Sequence, residues 1–139
     1  MIIVSGIPFS GTSIMLQKLK KGGLEIVPDL TATNAISGDN TKAAILPSLE
    51  LKHLEGQHQI IFMEREPEEC FACMKRKMKK EPHKSAFKTH LVDIKRYLKK
   101  KDVHYIDYKG LNINPKKELK KVESLIPNFK KATKTGWLW

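Results

Sequence analysis

Apolar and polar positions along this chain change period several times, and those changes lay out its elements. Residues 2–5, Ile-Ile-Val-Ser, form a short apolar run of the kind a strand buried on both faces requires. Residues 13–21 predict a helix, with Ile14, Leu16 and Leu19 apolar and Gly22-Gly23 as its stop. Residues 24–27 predict a second strand, and 28–42, rich in Thr, Asn, Gly and Asp, a loop. Residues 43–54 predict a helix, and Ile60-Ile61-Phe62-Met63 is the clearest further core strand. Pro67 predicts a helix start with Glu68 and Glu69 in the first turn, where exposed backbone N–H groups favour carboxylates. Pro82 separates that helix from one over 85–100, whose Phe87, Leu91, Ile94 and Leu98 share a face. Residues 103–106 predict another core strand. Pro115 opens a last helix with Leu119, Val122 and Ile126 on one side.

Strands alternating with helices predict an α/β fold: a three-layer arrangement with a small, mostly parallel sheet flanked by helices. With no internal repeat and no linker, residues 1–139 read as a single domain, long enough for a core without disulfides or metals. Ligands of such sheets bind at the carboxyl ends of the strands. That directs attention to the residues after Ser5 and after Met63.

Composition narrows the class. With 40% hydrophobic and 29% charged residues, the chain has the make-up of a soluble globular protein. No run approaches the roughly 18 apolar residues of a membrane-spanning helix, and no basic, then apolar, leader precedes the first strand. The expected location is cytoplasmic. Two cysteines, Cys70 and Cys73, make no disulfide framework. Charge is lopsided: residues 1–66 carry net −1 and residues 67–139 net +12. A basic half suits an anionic partner. Lysines with few arginines and few aromatics argue against dedicated nucleic-acid binding. Trp137 and Trp139 read as apolar anchors for the tail, with base stacking or a homodimer interface as the alternatives.

The most informative stretch is the junction of the first strand and first helix. Gly6-x-x-x-x-Gly11-Thr12-Ser13 is the strand–loop–helix frame G-x-x-x-x-G-K-S/T of a phosphate-binding loop, with Thr12 at the lysine position. That lysine holds the β- and γ-phosphates of a nucleoside triphosphate, so its loss argues against a nucleotide kinase. The backbone cradle of glycines and helix N-terminal N–H groups is retained, and it suits a phosphate or sulfate.

Two motifs together resemble those of the sulfotransferase family. Ser5-Gly6-Ile7-Pro8-Phe9-Ser10-Gly11-Thr12-Ser13 resembles its 5′-phosphosulfate loop, especially the short bacterial form Gly-x-Pro-Arg-Ser-Gly-Thr-Ser. The stretch from Phe62 to Cys73 is similar to the family's 3′-phosphate motif, an Arg at a strand end followed eight residues later by a Ser on the next helix. Here those places hold Arg65 and Cys73. The resemblance also takes in 103–115, with Tyr108 after the strand and Asn114-Pro115 beyond, and so covers most of the chain.

The resemblance implies 3′-phosphoadenosine-5′-phosphosulfate as co-substrate, no metal, and sulfuryl transfer to a hydroxyl or amine acceptor. The binding residues it implies are Gly6, Pro8, Phe9, Ser10, Gly11, Thr12, Ser13, Arg65 and Cys73. The hydroxyls of Ser10, Thr12 and Ser13 would meet the 5′ end, and Arg65 the 3′-phosphate through a charge-assisted contact.

The chain departs from that pattern in several places. Phe9 stands where the family carries Arg or Lys, and Cys73 replaces Ser. The position of the family's base offers only Lys42, and its C-terminal basic cluster has a loose counterpart in Lys130, Lys131 and Lys134. Phe9 therefore keeps open a second reading, a binding or interaction module of the same fold without catalysis.

Other residues admit simpler readings. Lys88-Thr89-His90 imitates a catalytic segment of cytosolic sulfotransferases, but follows the arginine motif instead of preceding it. His90 reads as a helix residue, and His53 and His58 as solvated turn residues. Cys70, Cys73, His83 and His90 can be drawn as a zinc site, although both cysteines fall on one amphipathic helix. Arg65, without the loop, reads as a strand-end arginine paired with Glu64, Glu68 or Glu69.

Overall fold

Strand β1 (Ile2–Ser5) is completely buried, as its unbroken apolar run requires, in a computed structural model that describes residues 1–136. The expectations for Trp137 and Trp139 lie outside the described residues. Beside β1 stand β2 (Glu25–Ile26), β3 (Lys42–Ile45), β4 (Gln59–Glu64) and β5 (Val103–Asp107). They form one sheet in the order β2-β3-β1-β4-β5, and every neighbouring pair is parallel. Val4 is in register with Ile45 on one side and Ile61 on the other.

Successive strand residues face opposite ways, so β1 feeds two apolar layers. Ile2 and Val4 join Met15 and Leu19 of α1 (Thr12–Lys21), Leu111 of α4 (Tyr108–Ile113), Leu119 of α5 (Pro115–Lys120) and Ala132 of α6 (Phe129–Thr135). Ile3 joins Phe62 of β4, Leu51 of the 3-10 turn Ser48–His53, and Ile94 and Leu98 of α3 (Lys84–Leu98). Each of the larger side chains among these, fully withdrawn from water, contributes roughly 1.5–3 kcal/mol. The fold is thus α/β in three layers, helices on both faces of a small parallel sheet. The remaining helix, α2 (Pro67–Met78), packs Cys70, Phe71 and Met74 against Ile7, just beyond β1, and against Phe87 and Leu91 of α3.

Three sequence expectations need correction. The helix expected over 43–54 is instead β3 followed by the 3-10 turn Ser48–His53. Ala43 and Ala44 favour helix locally, but both are 0% exposed between β1 and β2, where small residues let the strands' flanking layers close in. Pro47 then ends the extended stretch. The second strand, expected over 24–27, pairs only at Glu25–Ile26, with Val27 N–H adding a bond to Ala43 O. The last helix is broken into α5, a 3-10 turn at Glu123–Leu125 and α6. Leu119, Val122 and Ile126 nevertheless share one core cluster, so the apolar spacing was meaningful although the element was not continuous.

Candidate functional site

From β1 the chain crosses towards β3 and β2, whereas from β4 it crosses the other way, to β5. The carboxyl ends of β1 and β4 therefore part at a switch in strand order, the place where open α/β sheets bind ligands. Four segments meet there: the loop of residues 6–11 after β1, Leu46-Pro47-Ser48 after β3, Arg65 after β4, and Tyr108 after β5.

The loop owes its shape to its two glycines and to the side chains beneath them. A side chain at Gly6 would collide with Ser10 Oγ and lie 3.3 Å from Met63 O. Ser10 is 1% exposed, its N–H donates to Ile7 O at 3.2 Å, and its hydroxyl has no hydrogen-bond partner among the described residues. That hydroxyl lies inside the turn, so of the three expected phosphate ligands only Thr12 and Ser13 line the outer hollow. Phe9 (φ 65°) and Gly11 (φ 100°) adopt left-handed conformations, which cost a non-glycine residue about 1–2 kcal/mol. At Gly11 a Cβ would come within 2.5 Å of Tyr108 Cδ2, so the aromatic ring lies directly against the start of α1. Among the described residues no side chain caps α1, whose first N–H groups can meet an anion or water.

Arg65 holds the other wall. Its Nη1 donates to Phe9 O at 2.8 Å, its Nε donates to Glu69 at 3.3 Å, and its guanidinium carbon sits 4.0 Å from the centre of the Tyr108 ring. Partial burial works against its charge, but Glu69 and the neighbouring Tyr108 outweigh that and hold its pKa above the ordinary arginine value. The structural alternative for Arg65, pairing with Glu69, is present. Three of its five N–H donors have no protein partner among the described residues. Pro8, Phe9, Thr12, Ser13, Arg65 and Tyr108 line an open hollow of about 380 Å³.

Cys73 is not part of this hollow. It is half-buried on α2, where its sulfur accepts from Arg76 Nη2 at 3.4 Å. The cysteine facing the loop is Cys70, whose thiol donates to Phe9 O at 3.7 Å. Burial pushes the Cys70 pKa up to about 11, so its thiol stays neutral. Lys130, Lys131 and Lys134 lie on α6. Just before that helix, Asn128 N–H bonds Gly22 O at the far end of α1, roughly 15 Å along the helix from the loop. Cys70, Cys73, His83 and His90 are not gathered: no cluster of three or more His, Cys, Asp or Glu able to hold a metal occurs among the described residues. No helix among them is long and apolar enough to cross a membrane.

A second hollow, of about 280 Å³, opens on the opposite side of the loop and shares Pro8 and Thr12 with the first. Its walls include Leu46, Leu49 and Phe87, and its polar groups include Ser48 and His90, joined at 2.8 Å between Oγ and Nε2. Burial lowers the His90 pKa below the ordinary histidine value; Asp93 opposes this and Lys52 adds to it. A larger depression of about 770 Å³ is lined by residues of α3 alone and has no opposing wall, so it is a surface trough.

Sequence reasoning passed over Ser48, and it named Cys70 and Tyr108 without their contacts to the Phe9 carbonyl, Gly11 and Arg65. The signal for Tyr108 was an aromatic at a strand's carboxyl end together with a side-chain-free Gly11, and no local pattern connects the two. No family model, no curated protein and no solved structure matches this chain.

Proposed function

We propose that this protein binds an adenosine nucleotide carrying both a 5′-phosphate or phosphosulfate and a 3′-phosphate, in the manner of a sulfotransferase. The carrying observation is the convergence of the glycine loop, Thr12, Ser13 and Arg65 at the strand-order switch. The start of α1 supplies unpaired N–H groups for the 5′ end. Arg65, braced by Tyr108 and Glu69, supplies its remaining N–H donors to the 3′-phosphate. When bound, the phosphosulfate supplies an activated sulfuryl group. The protein's part is to hold it and stabilise charge on the bridging oxygen, without a metal. A cytoplasmic setting suits the two free thiols.

A second reading, nucleotide binding without transfer, is favoured by Phe9. At this loop position a cation would stabilise the leaving group, and the apolar ring stands there instead, 37% exposed. Losing one such donor typically lowers a rate by on the order of 100- to 1,000-fold.

Calorimetric titration tests the reading. 3′-Phosphoadenosine-5′-phosphate should bind, ATP with Mg²⁺ and AMP should bind far more weakly, and Arg65→Ala should abolish the preference. Equal or absent binding of all three would overturn the assignment of the loop and turn attention to partners of the basic half.

A further inference from the structure

The positive charge of this chain is concentrated. Residues 75–101 hold 12 lysines and arginines against 2 acidic residues, a net of +10 out of +11 for the whole chain. They form the last turn of α2, the linker 79–83, α3 and the residues just after it. Four of the lysines are engaged with carboxylates: Lys75 with Glu81, Lys84 and Lys88 with Glu68, and Lys95 with Glu64. Lys77, Lys79, Lys80, Arg96, Lys99 and Lys100 are exposed and form no ion pair among the described residues. Lys79 closes α2 in a left-handed conformation (φ 54°), where glycine is the usual residue. The fold thus keeps a cation where a residue without a side chain would be less strained. Two apolar side chains stand among these cations. Met78 is 58% exposed between Lys77 and Lys79. Val92 is 61% exposed on the outer face of α3, one turn from Lys88 and one turn from Arg96. The inner face of that helix, with Ile94 and Leu98, is committed to the core.

We propose that the end of α2 and the outer face of α3 dock this protein on an anionic lipid bilayer, against the headgroups and without crossing them. This does not depend on the nucleotide reading above. Charge complementarity selects an anionic surface, and the kind of cation narrows it. A lysine can lay its four-carbon stem along the acyl boundary while its ammonium reaches the lipid phosphates. Basic clusters of this size on an amphipathic helix have the character of segments that bind acidic lipids. The two exposed apolar side chains point the same way. A methionine or valine ringed by cations gains by entering the headgroup–acyl boundary, and gains little against the phosphates of a nucleic acid. Nucleic acid is disfavoured on a second count: Phe87 and Tyr97 of α3 are packed onto core clusters and present no free ring for stacking on a base. No helix among the described residues is long and apolar enough to cross a membrane, and docking on the surface needs none.

Vesicle sedimentation tests the proposal. The wild type should sediment with phosphatidylcholine vesicles that contain a phosphatidylserine fraction, and not with phosphatidylcholine alone. Added salt should release it, because exposed charges are screened. Lys77→Gln, Lys79→Gln and Lys80→Gln combined should weaken binding about 100-fold, each cation near the surface being worth about fivefold. The same change at Lys116, Lys117 and Lys120 of α5 removes equal charge from exposed positions elsewhere, and should weaken binding far less. Circular dichroism checks that both triple variants are folded. Met78→Ser should weaken vesicle binding severalfold and leave the weak binding of a DNA duplex, followed by anisotropy at the same salt, unchanged. No sedimentation with the anionic vesicles would overturn the proposal. Equal losses in the two triple variants would overturn it as well, because attraction would then follow net charge and not this surface. A duplex bound more tightly than the vesicles, with Met78→Ser without effect on either, would overturn it in favour of a nucleic-acid partner.

Discussion

Arg65 Nη1 donates to the backbone carbonyl of Phe9 at 2.8 Å, across 56 residues of sequence. The side chain offered as a phosphate ligand is therefore also a brace for the loop. The bond meets Phe9 where its backbone is left-handed, and the Cys70 thiol reaches the same carbonyl. Binding and loop conformation are thereby linked through one guanidinium.

Removing that brace should cost stability as well as affinity. For Arg65→Ala, the lost charge-assisted bond and ring contact predict a decrease of roughly 1.5–3 kcal/mol. Glu69→Ala should change stability little, because its carboxylate is largely exposed. Urea unfolding of the two variants checks the difference; an equal loss in both would mean that the ion pair, and not the Phe9 carbonyl, holds the arginine.

Phe9→Arg should raise the affinity for 3′-phosphoadenosine-5′-phosphate about tenfold or more, the effect of one added charge-assisted hydrogen bond. The left-handed backbone is no worse for arginine than for phenylalanine, so the fold should be unaffected. Unchanged affinity in calorimetry would count against the placement of an anion beside this residue.

Gly6 and Ser10 should behave as a coupled pair. Gly6→Ala drives its new Cβ into Ser10 Oγ and should destabilise by about 1–3 kcal/mol. Ser10→Ala removes a buried hydroxyl with no partner and should be neutral or stabilising. The double variant should recover most of the loss, because Ser10 Cβ lies at 3.3 Å from the added methyl, a tight but adjustable contact. A double-mutant cycle by thermal unfolding measures the coupling; strictly additive losses would disprove it.

Glu118 joins the end of β5 to α5. The residue is 6% exposed, and its carboxylate accepts from Asp107 N–H at 3.1 Å and pairs with Lys121 at 2.8 Å. Glu118→Ala should cost about 1–3 kcal/mol by leaving that N–H unpaired, and Glu118→Gln much less. Chemical denaturation would show no such ranking if the contact were incidental.

The two cysteines should differ in reactivity. The thiolate is the reactive form, and Cys70, raised to about 11 from 9.0, is a neutral thiol at pH 8. Iodoacetamide at that pH should label the half-buried Cys73 well before Cys70, as followed by peptide mass spectrometry. The folded-state pKa of Cys70 is raised, so its stabilising contribution is complete below pH 9 and is lost as pH rises from 9 to 11. Unfolding midpoints of the wild type should fall over that interval and fall less in Cys70→Ala.

What local sequence determines and what it leaves to the fold divide cleanly here. Ile2–Ser5 and the run at 60–63 were legible because a short apolar stretch bounded by turn residues fits a strand buried on both faces of a covered parallel sheet; the run at 103–106 is a strand too, but an edge strand in which only Ile106 is buried. Gly6 and Gly11 were legible because only a side-chain-free residue suits such a turn. The stretch 43–46 was not, because alanine's local preference for helix is overridden by pairing with β1, a partner some 40 residues away. The site divides the same way. Its loop is local and could be read from spacing, but the contacts of Arg65 with Phe9 and of His90 with Ser48 span 56 and 42 residues. Those contacts depend on the order β2-β3-β1-β4-β5, which brings four carboxyl ends to one edge. That order is set by how the crossovers pack both faces of the sheet, a many-body balance of burial that no short window of residues records.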